Sequence, residues 1–130
     1  MYIILGVVIA ALLLFAAFSK AQAPEGITQL SAEEFKTEIE TKKDIQIIDV
    51  RTAGEHKGGY IKNSVLMDFH GSNFKTNAMK LDKEKPVYIY CASGGRSMGA
   101  AKILHKEGYE VYNLVGGFGA WRGKGYPSVK

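Results

Sequence analysis

The residue best suited to covalent chemistry in this chain is Cys91, its only cysteine. It follows the apolar, β-prone run Val87–Tyr90 and precedes a small, glycine-rich stretch at residues 92–95. A helix-like segment comes next, at residues 98–107. A thiol at such a junction faces free backbone N–H groups and the positive end of a helix, and both favour the reactive thiolate. The pattern therefore predicts a nucleophile that carries an anionic group.

The residues that follow Cys91 are the other candidates for the active site. They form an active-site loop that consists of Ala92, Ser93, Gly94, Gly95, Arg96 and Ser97. Small side chains at 93–95 leave room for an additional atom on the thiol, and backbone N–H groups of a tight turn stabilise an anion. We expect Arg96 to brace the loop or to attract anions. Ser93 is expected either to hydrogen-bond the sulfur or to hold the turn.

The composition narrows the classes of function that fit this chain of 130 residues. A single cysteine excludes an intrachain disulfide framework and a cysteine-rich zinc site. The three histidines, His56, His70 and His105, have no metal-ligand spacing and are interpreted as surface or packing residues. The net charge of +4 comes with scattered lysines and no dense basic run, which disfavours nucleic-acid binding. We therefore expect no metal ion, no organic cofactor and no nucleic acid, and we expect small anions as partners.

Residues 2–18 contain no charged side chain and are almost wholly apolar. As a helix they would extend about 25 Å, slightly less than the ~30 Å hydrocarbon core of a bilayer. Two interpretations stay open for residues 1–20, a cleaved signal peptide and a retained transmembrane anchor, with 21–26 as a linker. The chain is therefore predicted to be membrane-anchored through 2–18 or exported, at the inner membrane or in the periplasm of a bacterium. Lys20 is the only basic residue close to this segment, so the side of the membrane is not determined.

Strand-like and helix-like segments alternate over residues 27–130. Apolar, β-prone runs predict strands at residues 27–30, 45–50, 64–67, 87–90 and 110–114. Capping boxes at Ser31 and Thr52 open two predicted helices, and further helices are predicted at 71–81, 98–107 and 118–123. The alternation predicts an α/β domain with a mostly parallel central sheet and helices on both faces. Ligands of such domains bind beyond the carboxyl ends of the strands, where Cys91 stands.

Three motifs in this order resemble those of the rhodanese family of sulfurtransferases, and the resemblance covers about residues 26–127. The upstream motif, DVRTAGEHKGGYI at 49–61, is similar to the family's D-V-R…E…G-H-I signature. The loop CASGGRS at 91–97 fits its C-x-x-G-x-R-S form, and LVGGFGAWRGKGYP at 114–127 is similar to its L-x-G-G…W…G-Y-P signature. Some residues depart from the family pattern, and Asn63-Ser64 stand where Gly-Ala is common. Tyr60 stands where the family usually has histidine, and Ala92 stands where relatives often carry a basic or polar side chain.

The resemblance implies a rhodanese-like three-layer domain over residues 27–130 and sulfur transfer in two steps. The Cys91 thiolate would take a sulfane sulfur from a donor such as thiosulfate or a persulfide and hold it as a persulfide. The implied acceptor is cyanide, a small thiol or a thioredoxin-like protein. Near the same edge of the sheet, Asp49 is expected to give structural support, and Arg51 either pairs with it or binds the donor.

Two other classes of function share parts of this pattern. A non-catalytic rhodanese-like module would bind a protein partner, although Cys91 and its loop glycines are present here. Related phosphatases and arsenate reductases use a similar cysteine loop to cradle a tetrahedral oxyanion. The four residues 92–95 separate Cys91 from Arg96 in this chain, one fewer than in that class, which favours a sulfur atom over a phosphate.

Overall fold

The computed structural model of the protein describes residues 26–130. The predicted signal peptide or anchor at 1–20, with its apolar helix, lies outside the described residues, as does all of the predicted linker except Gly26. None of the helices within 26–130 has the length and apolar character needed to cross a bilayer.

Within residues 26–130, a five-stranded sheet forms the centre of the domain in the spatial order β1-β5-β4-β2-β3. The strands are β1 Thr28–Leu30, β2 Gln46–Asp49, β3 Ser64–Leu66, β4 Val87–Tyr90 and β5 Val111–Leu114. Every pairing between neighbouring strands is parallel, so the predicted parallel character of the sheet is confirmed. All residues of the central strand β4 are buried, and Cys91 follows this strand directly.

Helices connect the strands and cover both faces of the sheet. They are α1 Ala32–Thr41, α2 Ala53–Lys57, α3 Phe74–Ala78, α4 Gly95–Lys106 and α5 Gly117–Gly123. One hydrophobic cluster joins α3 and α4 to the sheet through residues such as Ile48, Ile89 and Leu104. A second cluster joins α1 and α5 to the other face through residues such as Phe35 and Tyr88. Because successive strand residues point to opposite faces, the two clusters enclose the sheet and confirm the predicted α/β layers.

Two helices begin where capping boxes predict them. The Ser31 hydroxyl accepts a hydrogen bond from the Glu34 N–H, and the Glu34 carboxylate accepts one from the Ser31 N–H, both at 3.1 Å. Thr52 and Glu55 repeat this arrangement at the start of α2. Each box pairs backbone N–H groups that the first turn of a helix leaves without partners. As a result, the predicted site residue Arg51 directly precedes Thr52, the cap of α2.

The predicted helix over 71–81 is wrong in its extent, because α3 covers only Phe74–Ala78. The chain before α3 forms turns, and the Gly71 N–H donates to the Asp68 carbonyl there. Asn73 precedes the helix without a side-chain capping bond. Glycine, serine and asparagine at 71–73 favour turns over helix, which accounts for the shorter element.

The start of α4 also differs from the prediction, because the helix begins at Gly95 and not at Met98. Gly94 precedes it with a φ of 111°, a left-handed conformation that glycine adopts without steric cost. The Met98 N–H donates to the Gly94 carbonyl, so the first helical turn already includes the end of the loop. Residues 95–97 therefore belong to the helix, and its positive end lies closer to Cys91 than the sequence indicates.

Candidate active site

Cys91 lies at the carboxyl end of β4, the position at which an α/β sheet presents ligand-binding groups. Its side chain is buried, and Sγ accepts a hydrogen bond from the Gly94 N–H at 3.0 Å. The loop thus curls back so that a backbone N–H at its far end points at the sulfur. Successive N–H groups that converge in this way form a concave site for an anion.

The pKa of the Cys91 thiol is lowered below its ordinary value. Burial acts in the opposite direction and raises the pKa, but hydrogen bonds to the sulfur outweigh burial. These bonds come from the Ser97 hydroxyl and from the backbone N–H groups of Ser97, Gly94 and Ser93. Each donor stabilises the thiolate, which is the nucleophilic form of cysteine.

Ser97 is buried, and its hydroxyl has two acceptors within reach. Its Oγ lies 3.1 Å from the Gly94 carbonyl oxygen, and the same hydroxyl helps to lower the pKa of Cys91. A hydroxyl has one proton, so it donates to one of these acceptors at a time. A more negative sulfur strengthens the bond to Cys91, because hydrogen bonds to ionised acceptors are the stronger ones.

The start of α5 holds the active-site loop from its other side. The N–H groups of Phe118 and Gly119 donate to the carbonyl oxygens of Cys91 and Ala92 at 2.8 and 3.0 Å. Gly117 has a φ of 61°, and a Cβ at this position would lie 2.5 Å from the Cys91 carbonyl oxygen. Only glycine fits there. Because N–H groups of α5 donate hydrogen bonds to the loop carbonyl oxygens, the loop carbonyls point toward α5 and the loop N–H groups can face the sulfur.

Arg96 connects the loop to α2 through an ion pair. Its Nη1 and Nη2 atoms donate to the two carboxylate oxygens of Glu55 at 2.7 and 2.9 Å. The hydrogen bond from Arg96 is the main cause that lowers the pKa of Glu55 to about 2, and bonds from Thr52 add to it. Of the two roles open to Arg96, this geometry supports bracing. Sequence reasoning treated Glu55 as a helix cap and motif residue and missed it as a partner of the loop.

Asp49 and Arg51 form a buried ion pair at the end of β2. Arg51 donates through Nε and Nη2 to the Asp49 carboxylate at 2.8 to 3.1 Å. Nη2 also donates to the Gly59 carbonyl at 2.6 Å, and the guanidinium carbon lies 4.2 Å from the centroid of the Phe118 ring. Burial raises the pKa of Asp49, but hydrogen bonds from Arg51 and His56 bring it below its ordinary value. The pair is therefore charged and fixes the direction of the Arg51 side chain.

Sequence reasoning missed two further partners of Asp49, namely Tyr90 and His56. The Tyr90 hydroxyl donates to Asp49 and accepts from the Ile61 N–H, both at 3.0 Å. Burial raises the pKa of Tyr90 to about 12, so its hydroxyl keeps its proton. His56 Nδ1 lies 2.8 Å from the Asp49 carboxylate, and its ring stacks on Tyr60 with centroids 4.1 Å apart. The register that pairs Asp49 with Tyr90 across β2 and β4 is the signal that would have revealed the first contact.

Comparison with known proteins gives this geometry a family context. The model of the rhodanese-like domain family matches residues 31–124. An uncharacterized protein of Bacillus subtilis, YqhL, is 34% identical over 119 residues, which cover 91% of this chain and 90% of that protein. The thiosulfate sulfurtransferase GlpE of Coxiella burnetii is 37% identical over 86 residues, which cover 65% of this chain and 78% of that protein.

A solved structure shows the same likeness in three dimensions. The crystal structure of a rhodanese-related protein from Thermoplasma volcanium matches this chain with a TM-score of 0.70 and 28% sequence identity. The match covers 78% of this chain and 96% of that chain. Sequence and fold thus lead to one family.

Proposed function

Because this chain belongs to the rhodanese-like domain family, we propose that it is a sulfurtransferase. It moves a sulfane sulfur from a donor such as thiosulfate or a persulfide to cyanide or a thiol acceptor. The observation that carries this proposal is the hydrogen bond from the Gly94 N–H to the Cys91 sulfur at 3.0 Å, beside N–H and O–H groups of Ser93 and Ser97 that lower the pKa of this thiol. Such donors suit a thiolate before the reaction and a persulfide anion after it.

Sulfur transfer proceeds by two displacement steps at Cys91. In the first, the thiolate attacks the outer sulfur of thiosulfate, the S–S bond breaks, and its electron pair leaves with sulfite. Cys91 then carries the sulfur as a persulfide anion. In the second, cyanide or a thiolate attacks the terminal sulfur, the persulfide S–S bond breaks, and the Cys91 thiolate is regenerated. A covalent carrier thus divides one difficult transfer into two easier steps.

The loop has space and donors for the terminal sulfur of the persulfide. A Cβ at Gly95 would meet no atom within 4 Å beyond its chain neighbours, so this side of the loop is open. The first N–H groups of α4, at residues 95–97, have no carbonyl partner within the helix. They and the positive end of the helix favour an anion at this place.

The ion pair of Arg96 argues against the phosphatase alternative. A guanidinium that binds a phosphate does so best with two parallel N–H donors. In this chain both terminal nitrogens of Arg96 are engaged by Glu55. The donors directed at Cys91 argue against a non-catalytic module in turn, because a structural buried thiol needs no lowered pKa.

Sulfur loading of the full-length protein tests the proposal. We expect incubation with thiosulfate to add the mass of one sulfur atom to the intact protein, and cyanide to remove it as thiocyanate. The matched control is Cys91→Ser, which keeps the size of the side chain and takes up no sulfur. No mass gain with thiosulfate, mercaptopyruvate or a small-molecule persulfide would overturn the proposal. Hydrolysis of p-nitrophenyl phosphate would then test the phosphatase alternative.

The proposal also includes a location and a protein acceptor. We infer that residues 2–18 anchor the domain in a membrane or direct its export, on the basis of their apolar sequence. Cell fractionation shows whether the protein is in the membrane fraction, and the intact mass of the mature protein shows whether its N-terminus has been cleaved. Together they distinguish a retained anchor, a cleaved signal peptide and the absence of both.

Because Cys91 is the only cysteine of this sequence, release of its sulfur depends on an external thiol or cyanide, and a thioredoxin-like protein is one such thiol acceptor. Transfer of labelled sulfur from loaded Cys91 to purified thioredoxin measures this step. If sulfur is transferred to thioredoxin no faster than to a small thiol, the proposal of a thioredoxin-like acceptor is wrong.

A further inference from the structure

One surface of the domain carries positively charged side chains and no negatively charged ones. It is formed by residues 56–63 and 118–130, and neither stretch contains an aspartate or a glutamate. Its basic side chains are Lys57, Lys62, Arg122, Lys124 and Lys130. All five residues are exposed, and among residues 26–130 none of their side chains has an ion-pair or hydrogen-bond partner. We call this surface the basic face.

Backbone hydrogen bonds join the two stretches of the basic face. The Tyr60 N–H donates to the Val129 carbonyl at 2.9 Å, and the Val129 N–H donates to the Tyr60 carbonyl at 2.8 Å. Next to this bridge, a Cβ at Gly59 would lie 3.7 Å from an atom of Phe118 and 3.7 Å from the Ser128 hydroxyl. The positive charges of both stretches therefore belong to one continuous part of the surface.

An apolar groove of about 340 Å³ lies within the basic face. It is lined by buried side chains of the core such as Ile61 and Trp121, and Lys62 lines it as well. Glu40 of α1 is its one acidic lining residue, and Lys36 pairs with this carboxylate at 2.8 Å. An apolar centre with a polar rim is the usual anatomy of a protein–protein interface.

The basic face begins at the active-site loop and extends away from it along α5. The N–H groups of Phe118 and Gly119, at the start of this helix, donate to the carbonyl oxygens of Cys91 and Ala92. The seven residues of α5 then extend about 10 Å toward the chain that lines the groove. A small molecule cannot cover both the loop and the groove. A protein of about 100 residues, with a radius of gyration of about 13 Å, spans both.

Charge on this side of the sheet changes sign between two neighbouring helices. α1 packs beside α5 and carries four glutamates and one lysine, whereas α5 and the chain after it carry basic side chains alone. A partner with an acidic surface is therefore attracted to the basic face and repelled from α1. Complementary and like charges of this kind set the orientation of a complex and raise its rate of association.

We propose that the basic face docks the protein that accepts sulfur from Cys91, and that this acceptor has an acidic surface around its thiol and an apolar side chain that enters the groove. The proposal rests on the sulfurtransferase function proposed above and names its partner by chemistry. In the complex, the acceptor thiolate attacks the terminal sulfur of the Cys91 persulfide and the persulfide S–S bond breaks. Its electron pair returns to Cys91 as the thiolate, and the acceptor leaves as a persulfide.

Variants of the full-length protein test the two parts of the basic face. Lys57→Gln/Lys62→Gln removes two positive charges from it. The matched control is Lys80→Gln/Lys106→Gln, which removes two charges from exposed lysines beside α3 and at the end of α4, on the other side of the sheet.

The groove has its own variant and control. Ser128→Glu places a carboxylate on an exposed residue that lines the groove. Ser72→Glu places the same charge on an exposed residue in the turn before α3. Both substitutions add one negative charge to the protein, so a difference between them reports the position of that charge.

The probes are three synthetic peptides of equal length, each with one cysteine, one leucine and four variable positions. The variable positions are filled with glutamate, glutamine or lysine. Intact mass follows the transfer of sulfur from loaded Cys91 to each peptide. Fluorescence anisotropy of the same peptides, with serine in place of their cysteine, measures Kd without any sulfur chemistry.

We expect the glutamate peptide to bind about fivefold more tightly than the glutamine peptide and to accept sulfur faster, with the lysine peptide weakest. Lys57→Gln/Lys62→Gln and Ser128→Glu should each weaken binding of the glutamate peptide about threefold to tenfold, and both controls should leave it unchanged. Salt at about 0.5 M should abolish the preference. Equal affinities for the three peptides, or equal losses in the variants and their controls, would overturn the proposal.

The two readouts separate this proposal from the sulfurtransferase function. Charge-selective binding by a protein that takes up no sulfur would retain an acidic partner and overturn the sulfurtransferase function. Sulfur loading without any charge preference would overturn the docking face alone. Vesicles of phosphatidylcholine with and without phosphatidylglycerol test a lipid surface as the occupant. If Lys57→Gln/Lys62→Gln weakens binding to the anionic vesicles and not to the glutamate peptide, the basic face binds lipid and the proposal is wrong.

Discussion

At the scale of single residues, the reactivity of Cys91 depends on two kinds of hydrogen-bond donor. Ser97 lowers the pKa of the thiol through its hydroxyl and its N–H, whereas Gly94 and Ser93 lower this pKa through their backbone N–H groups. Ser93 is exposed, and its contribution to the lowered pKa comes from its N–H group. The two serines of the loop therefore differ in what their side chains do for the sulfur, although the sequence presents them alike.

We predict that Ser97→Ala raises the pKa of the Cys91 thiol, because the thiolate loses a donor while burial remains. The rate of alkylation of Cys91 by iodoacetamide, measured as a function of pH, should show its midpoint at a higher pH. Below that midpoint, alkylation should slow about threefold to tenfold. Ser93→Ala is the matched control and should leave the profile unchanged, since the backbone N–H stays in place. Equal shifts in both variants would contradict the distinction between the two serines.

The Glu55–Arg96 pair leads to a prediction about loop order. The pKa of Glu55 is lowered to about 2, so the pair is present above the ordinary carboxyl range and is lost as pH falls toward that value. We predict that Glu55→Gln lowers kcat/KM at neutral pH about threefold to tenfold, because Arg96 no longer braces the loop. The melting temperature should change little, because the pair is partly exposed.

Glu33→Gln, on the exposed side of α1, is the control for the loss of a carboxylate and should preserve activity. If Glu55→Gln lowers the melting temperature strongly and leaves kcat/KM unchanged, Glu55 supports the fold and does not position the loop.

At the scale of elements, two helices meet the active-site loop from different sides. α4 begins directly after Gly94, whose φ is 111°, and α5 begins at Gly117, whose φ is 61°. The first helix directs N–H groups toward the sulfur, and the N–H groups of the second donate to the loop carbonyl oxygens. The orientation of each peptide in the loop is thus fixed by backbone contacts at both ends.

We predict that Gly117→Ala destabilises the domain by about 2 kcal/mol or more, since a left-handed φ and a forced backbone contact combine. A Cβ there would lie 2.5 Å from the Cys91 carbonyl oxygen, so sulfur loading should fall as well. Gly123→Ala in the same helix is the matched control, because a Cβ at Gly123 would meet nothing within 4 Å. Urea denaturation should show this control to be neutral or slightly stabilising, and similar losses in both variants would refute the packing argument.

The elements that the sequence predicts best are those specified by local contacts. The capping boxes at Ser31 and Thr52 involve residues three positions apart, and both helices begin as predicted. The start of α4 was predicted too late because it depends on the conformation of Gly94. That glycine lies against the start of α5, because a Cβ built at Gly94 would be 3.6 Å from the Gly116 nitrogen. No pattern within the helix itself encodes this contact.

The partners of the candidate site residues were less predictable, for the same reason. The Glu55–Arg96 and Asp49–Tyr90 contacts each join residues 41 positions apart. They form because β2 and β4 are neighbours in a parallel register, and sequence order separates these strands by β3. Motif spacing therefore identified the residues around Cys91 but not which of them meet.

At the scale of the whole domain, the parallel sheet separates the start of the described chain from the nucleophile. β1 begins at Thr28, while Asp49 ends β2 and Cys91 follows β4. In a parallel sheet all carboxyl ends share one edge, and all amino ends share the other. The chain therefore enters β1 at the edge opposite to Cys91.

This arrangement predicts that a chain beginning at Pro24 folds and loads sulfur on Cys91 at a rate within about twofold of the full-length protein, as expected of a domain with its own core. Both hydrophobic clusters consist of residues between Ile27 and Tyr126, and the family match begins at residue 31. Thermal unfolding and intact mass after thiosulfate treatment measure the two properties. If residues 2–18 direct the protein to a membrane, the shortened chain should also leave the membrane fraction. A shortened chain that aggregates or takes up no sulfur, beside an active full-length protein, would show that the first residues contribute to the folded domain.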